Sequence, residues 1–310
     1  MKEELAVNRA ESDFLAGVAF YKKAFPGHPY GVTAPTDVSI ERVTRERVKA
    51  AWSRVFTPRG TTLVLVGDLD AKTARALVAK HLGGWRGGKA PAGAPAAPAH
   101  KAKATVYLLD RPNSSQVSFF LGNPAVREDN PAYFNLLLAN QVLGGSFSAR
   151  LMRDIREERG YTYRIGSRLE HRRAASLFRI RTPVRNEVAG AALAAVLEHL
   201  RRLRKDLVAP AELEQAKAYL SGSFARSLET QEGVAAAVLH LKLQRLPADF
   251  YDTYVQKLQA VDAAGARRAA VTFIRPDESI IVAVGDATKL KDALKRFSKT
   301  PVVMVGEDGD

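Results

Sequence analysis

Apolar and polar positions follow two rhythms along this chain. Val117, Phe119 and Leu121 recur at every second residue, as do Phe178, Ile180 and Thr182, which predicts strands over 116–122 and 176–182. Segments 105–110 and 161–170 read as further strands, the second forming a hairpin with 176–182. Elsewhere the spacing is helical. Residues 133–143 run apolar from a start at Pro131 to a stop at Gly144-Gly145, and 149–159 is ended by Gly160. Val188, Leu193, Val196, Leu197, Leu200 and Leu203 form one apolar stripe, and Pro210 opens a further helix through Glu229.

The same pattern occurs twice. Phe56-Thr-Pro-Arg-Gly-Thr-Thr-Leu-Val-Leu-Val-Gly67-Asp68 matches Ile274-Arg-Pro-Asp-Glu-Ser-Ile-Ile-Val-Ala-Val-Gly285-Asp286, and 286 − 68 = 218 also pairs Val43 with Val261. Each copy reads as helix, turn, apolar strand, Gly-Asp and a second helix, over 71–82 and 288–297. With a 218-residue unit the second copy fills 93–310, and the first is short by 126 residues. Between them, 87–103 is a linker rich in Pro, Gly and Ala. The expected fold is α+β, with tandem homologous domains. Each is a mixed, mostly antiparallel sheet with helices packed on one face. The expected divisions are 1–86, the second half of an incomplete first domain; 87–103, the linker; and 104–310, a complete second domain.

Composition narrows the chemistry. The chain has no cysteine, which removes disulfides, thiolate metal sites and cysteine nucleophiles. No apolar run reaches the roughly 18–20 residues of a membrane span, and Met1-Lys-Glu-Glu-Leu5 lacks a signal-peptide layout, leaving periplasm or cytoplasm of a bacterial-type protein. The net charge of +14 invites nucleic acid, yet the Lys and Arg residues are dispersed and no zinc-finger or RNA-recognition pattern accompanies them, so no nucleic acid is expected. The six histidines offer no H-x-x-x-H or H-x-x-E-H pair. The most unusual stretch is Leu151-Met-Arg-Asp-Ile-Arg156-Glu-Glu-Arg-Gly160-Tyr-Thr-Tyr163. There a cation and a phenol flank a tight turn, where both can donate to one oxygen. A surface Arg beside a half-buried Tyr satisfies the same spacing.

Five stretches, in order, carry a resemblance: Phe25-Pro-Gly-His28-Pro-Tyr-Gly31, Leu65-Val-Gly67-Asp68, Leu143-Gly-Gly-Ser-Phe-Ser-Ala-Arg-Leu151, Ile155-Arg156-Glu-Glu-Arg-Gly160-Tyr-Thr-Tyr163 and Glu212-Leu-Glu-Gln-Ala-Lys217. With the repeat, they resemble the insulinase/pitrilysin-type zinc metallopeptidases of the bacterial and mitochondrial-processing-peptidase branch. The resemblance implies a zinc-dependent endopeptidase acting on peptides or unfolded polypeptides. Arg156 and Tyr163 would hold the substrate carbonyl. Gly144 and Gly145 would line the substrate path, or simply stop a helix. Glu4, rather than Glu3, would be the third zinc ligand, or else a solvated helix-start carboxylate; His28 reads as structural. Because H-x-x-E-H is absent, zinc is expected only in the complete assembly, none bound tightly by this chain alone, and the chain alone is expected to be inactive. Its expected companion is a missing N-terminal segment or an H-x-x-E-H-bearing subunit, giving a dimer. The alternatives are a non-catalytic partner or scaffold subunit and, more distantly, a basic nucleic-acid-binding protein.

Overall fold

The computed structural model describes residues 1–89, 93, 95, 96 and 103–310, so the expected linker lies largely outside the described residues. The chain opens with helices α1 (Lys2–Ala10), α2 (Ser12–Ala24), α3 (Asp37–Glu41), α4 (Arg45–Val55) and α5 (Ala71–Leu82). Then come β1 (Thr105–Asp110), β2 (Gln116–Ala125), α6 (Tyr133–Asn140), β3 (Gly166–Glu170) and β4 (Ser176–Arg185). After these follow α7 (Ala189–Lys205), α8 (Pro210–Ser227), α9 (Gln231–Gln244), α10 (Tyr254–Gln259), α11 (Ala263–Phe273), β5 (Ile280–Gly285), α12 (Ala287–Lys295) and β6 (Val303–Met304). No helix among the described residues is long and apolar enough to cross a membrane.

One six-stranded sheet organises these elements in the order β3-β4-β2-β5-β1-β6. The first three pairings are antiparallel, while β5 with β1 and β1 with β6 are parallel. Every residue of β5 is buried, as its unbroken Ile-Ile-Val-Ala-Val run requires of a strand covered on both sides. On one face Leu136, Leu138, Leu193, Val196, Leu200, Ala266 and Ala270 of α6, α7 and α11 pack over Val106, Phe119, Ile180 and Ile281. The other face is covered by α2, a helix from ahead of the linker. Leu15, Ala16, Ala19 and Phe20 meet Phe120, Leu177, Val282 and Val284 there. Fully burying a side chain such as Leu15 or Phe20 is worth roughly 1.5–3 kcal/mol, so α2 is an integral layer.

Two strand expectations fail for physical reasons. Residues 61–66, the first copy of β5, pair with no strand among the described residues, and Leu63 and Leu65 are exposed. The partners of β5 are β1 and β2; no such strands stand beside 61–66 among the described residues. In the hairpin, 161–165 is irregular and only Gly166–Glu170 is strand. Continuing the register beyond Gly166↔Arg181 brings Pro183 opposite Arg164, and Pro183 has no N–H to donate. Thr162 Oγ1 instead donates to the Pro183 carbonyl.

Candidate functional site

Arg156 sits in the last turn of a helical segment, Met152–Glu158, that is wound wider than an α-helix, a local form that recurs at functional sites. Its end is set by Gly160, at φ 62° in the left-handed region that glycine adopts without strain. The amide of Gly160 donates to the Arg156 carbonyl at 3.2 Å and that of Tyr161 to the Ile155 carbonyl at 3.0 Å, closing the turn. The chain thus returns beside its own helix and brings Tyr163 to Arg156. The guanidinium lies 5.1 Å from the Tyr163 ring centroid and 4.6 Å from that of Phe147, within the range of cation–π attraction. Burial is the reverse of the surface-Arg alternative: Arg156 is half-buried, whereas Tyr163 is 83% exposed. Among the described residues neither side chain has a hydrogen-bond or carboxylate partner.

Two ion-pair clamps hold this segment, and neither was legible in the sequence. Asp154, two residues before Arg156, accepts from Arg159 Nε at 2.7 Å and lies 2.7 Å from His199 Nε2 on α7. Burial pushes the Asp154 carboxyl up, but these two partners outweigh it and hold the group below its ordinary value. Farther along, Glu212 on α8 takes a two-pronged contact from Arg150, at 2.9 and 2.6 Å, which lowers its carboxyl. That pair joins two of the five stretches on which the resemblance rests.

Gly144 and Gly145 close the wide turn Gln141–Gly145 that follows α6. A Cβ on Gly144 would stand 2.7 Å from the Ser167 amide nitrogen and 2.9 Å from Leu151, so only glycine lets this turn lie against β3. Gly145 shares a cavity of about 300 Å³ with Gly144, Gly166, Arg164, Arg168, Arg179 and Arg181. Glu4 is exposed in the first turn of α1 and has no hydrogen-bond or ionic partner among the described residues. No group of three or more His, Asp or Glu side chains among the described residues is placed to hold a metal ion. The residues present therefore do not form a zinc site by themselves. His28 is buried and structural in its contacts: its Nδ1 accepts from the Tyr30 amide and its Nε2 lies 2.9 Å from the Pro95 carbonyl.

Comparison with known proteins agrees with this architecture. The family described as Peptidase M16 inactive domain matches residues 42–220. An uncharacterized zinc protease of Mycobacterium leprae is 26% identical over 174 residues, 54% of this chain and 38% of the relative. The chain therefore spans well under half the length of that relative. The crystal structure of a peptidase M16 inactive domain from Pseudomonas fluorescens superposes with a TM-score of 0.84 at 26% identity, covering 91% of this chain and 67% of that one. A protease from Helicobacter pylori shares the fold at a TM-score of 0.78 and 18% identity, over 90% of this chain and 70% of that one. With that family matching more than half of its length, the chain belongs to the peptidase M16 inactive-domain family, as its motifs imply.

Proposed function

We propose that this chain is the substrate-holding portion of a zinc-dependent endopeptidase acting on peptides or unfolded polypeptides. The observation that carries this reading is Arg156: a half-buried guanidinium set against two aromatic rings, with no acceptor for its N–H groups among the described residues and an exposed phenol beside it. Burying a cation without a partner costs stability, and a polar ligand that completes it offsets the cost. A peptide carbonyl is the matching acceptor. Arg156 and Tyr163 would both donate to its oxygen and stabilise the negative charge that develops there when the bond is attacked. Rigid clamps through Asp154–His199 and Arg150–Glu212 support the required positioning.

The metal belongs to the rest of the assembly. Relatives are named zinc proteases, whereas Glu4 offers at most one ligand. In this reading the H-x-x-E-H element comes from an N-terminal segment or a partner subunit that completes the first unit, in a two-part assembly. Mixing the chain with the H-x-x-E-H-bearing first part of a related peptidase should restore cleavage of an unfolded polypeptide. Arg156→Ala or Tyr163→Phe should then lower kcat about a hundredfold or more, the effect of removing one oxyanion donor. Assembly without turnover would favour a scaffold subunit, and turnover unchanged by both substitutions would remove the pair from the mechanism.

A further inference from the structure

The open edge of the sheet carries a charge arrangement that the holding of a carbonyl does not use. β3 is the terminal strand, with no strand on its outer side among the described residues. Arg168 of β3 stands directly opposite Arg179 of β4, and Gly166 opposite Arg181. Like charges facing across a strand pair destabilise it, so Arg168 and Arg179 are placed there at a cost. One residue past Tyr163, Arg164 continues the same alternation, and all four guanidinium side chains line the cavity of about 300 Å³ beside Gly144 and Gly145.

The ion-pair inventory leaves this notch positive. Arg179 is matched by Glu170 at 2.7 Å and Arg181 by Asp13, and both guanidinium groups lie over the Phe120 ring, at 5.1 and 5.6 Å. Arg179 Nε is buried without an acceptor. Arg164 and Arg168 have no carboxylate partner among the described residues, so the notch holds two uncompensated cations. Its volume suits one or two side chains. A duplex would need a longer stripe of charge, and the notch's lining among the described residues includes no aromatic for stacking bases.

We propose that Arg164, Arg168, Arg179 and Arg181 form a specificity pocket that receives an acidic side chain of an extended peptide lying along the open edge of β3. The proposal rests on the substrate-holding reading and names the substrate class: polypeptide segments with Asp or Glu a few residues from the bond held at Arg156 and Tyr163. The strand edge supplies backbone hydrogen bonds, and the notch selects among side chains.

Fluorescence anisotropy of the 310-residue chain with labelled 12-residue peptides, identical except for central Glu-Glu, Gln-Gln or Lys-Lys, tests it. The Glu peptide should bind about tenfold or more tighter than the Gln peptide, and the Lys peptide most weakly. Arg164→Glu with Arg168→Glu should invert that order, while Lys291→Glu with Lys295→Glu, the same charge change on α12, should preserve it. Circular dichroism of both double variants controls for folding. Equal binding of all three peptides, absence of binding, or equal losses in both variants would overturn the pocket. So would a single-stranded DNA of matched charge binding more tightly than the Glu peptide. The cleavage assay with Arg156→Ala reads the holding role separately, so a lost charge preference with kcat still dependent on Arg156 would sink only this inference.

Discussion

Two copies of one pattern meet opposite fates in this molecule. In the second copy Ile274, Ile281 and Ala283 are wholly buried and Ile280–Gly285 is the central strand. In the first, their counterparts Phe56, Leu63 and Leu65 are exposed, and 61–66 has no strand partner among the described residues. The helices preceding these strands differ in the same way. Trp52 of α4 is 57% exposed, whereas Ala270, its counterpart on α11, is 0%. Local propensity is shared, so the difference lies in what surrounds it. A β-prone segment becomes a strand only when its N–H and C=O groups find a ladder and its side chains find a face to cover. The pattern encodes a demand, which 280–285 meets through β1 and β2 in the ladder and α2 over one face.

The largest expected effects set one residue of each kind against the other. Phe20→Ala should cost about 3–5 kcal/mol by stripping α2 from the sheet, whereas Phe56→Ala, exposed on the first copy, should change stability by about 0.5 kcal/mol or less in the isolated chain. Urea unfolding reads both. Within the repeat, Ile281→Ala should cost about 2–5 kcal/mol and Leu63→Ala about 0.5 kcal/mol or less. Equal losses at 63 and 281 would mean that the first copy has a core of its own.

The ion pairs sharpen the comparison further. The Arg150–Glu212 clamp ties the helical segment after Gly145 to α8, and Glu212→Gln should cost about 1.5–3 kcal/mol, less than a core truncation. Arg150 holds the Glu212 carboxyl below its ordinary 4.5. Its contribution is therefore present above the unfolded value and disappears as pH falls through the folded one. The wild type should lose more stability than Glu212→Gln on acidification below about pH 4.5.

His240 on α9 acts in the opposite direction. Its Nε2 lies 2.6 Å from Glu128, and this contact raises it above 6.5. Its contribution is complete below 6.5 and is lost as pH rises through the folded value. His171, lowered chiefly by burial, works on the acid side of 6.5 and leaves the alkaline arm to His240. A small fall in stability above pH 6.5, absent in His240→Gln, is the expected outcome; α9, which like α3, α4 and α5 buries no residue, should loosen before α7 and α11 in hydrogen exchange.

What the sequence revealed follows the same division. Strands β1, β2 and β4 and helices α7 and α8 were legible because each carries its period locally and packs on partners in the chain, whereas α5 was legible from its period alone and buries no residue. The role of α2 was not, since Leu15, Ala19 and Phe20 announce a buried helix without naming the sheet it covers. In the candidate site, Arg156, Gly160 and Tyr163 stood out through their spacing around one turn. Arg164, Arg168, Arg179 and Arg181 showed only as outward positions of a hairpin. Their even spacing, from Arg164 to Arg168 and from Arg179 to Arg181, was the available signal, but their convergence depends on register. The pairings Asp154–His199, Arg150–Glu212 and Glu128–His240 span 45, 62 and 112 positions, beyond any local pattern.

Amide hydrogen exchange over 61–66 and 280–285 tests the central claim most directly. In the isolated chain, 280–285 should be protected to nearly the full stability of the fold, while 61–66 exchanges almost as an unstructured segment. Adding an H-x-x-E-H-bearing first half should bring protection to 61–66 and leave 280–285 unchanged. Slow exchange at 61–66 in the isolated chain, or no gain on adding that half to saturation, would contradict the proposal that the segment gains its strand partners from another part of the assembly.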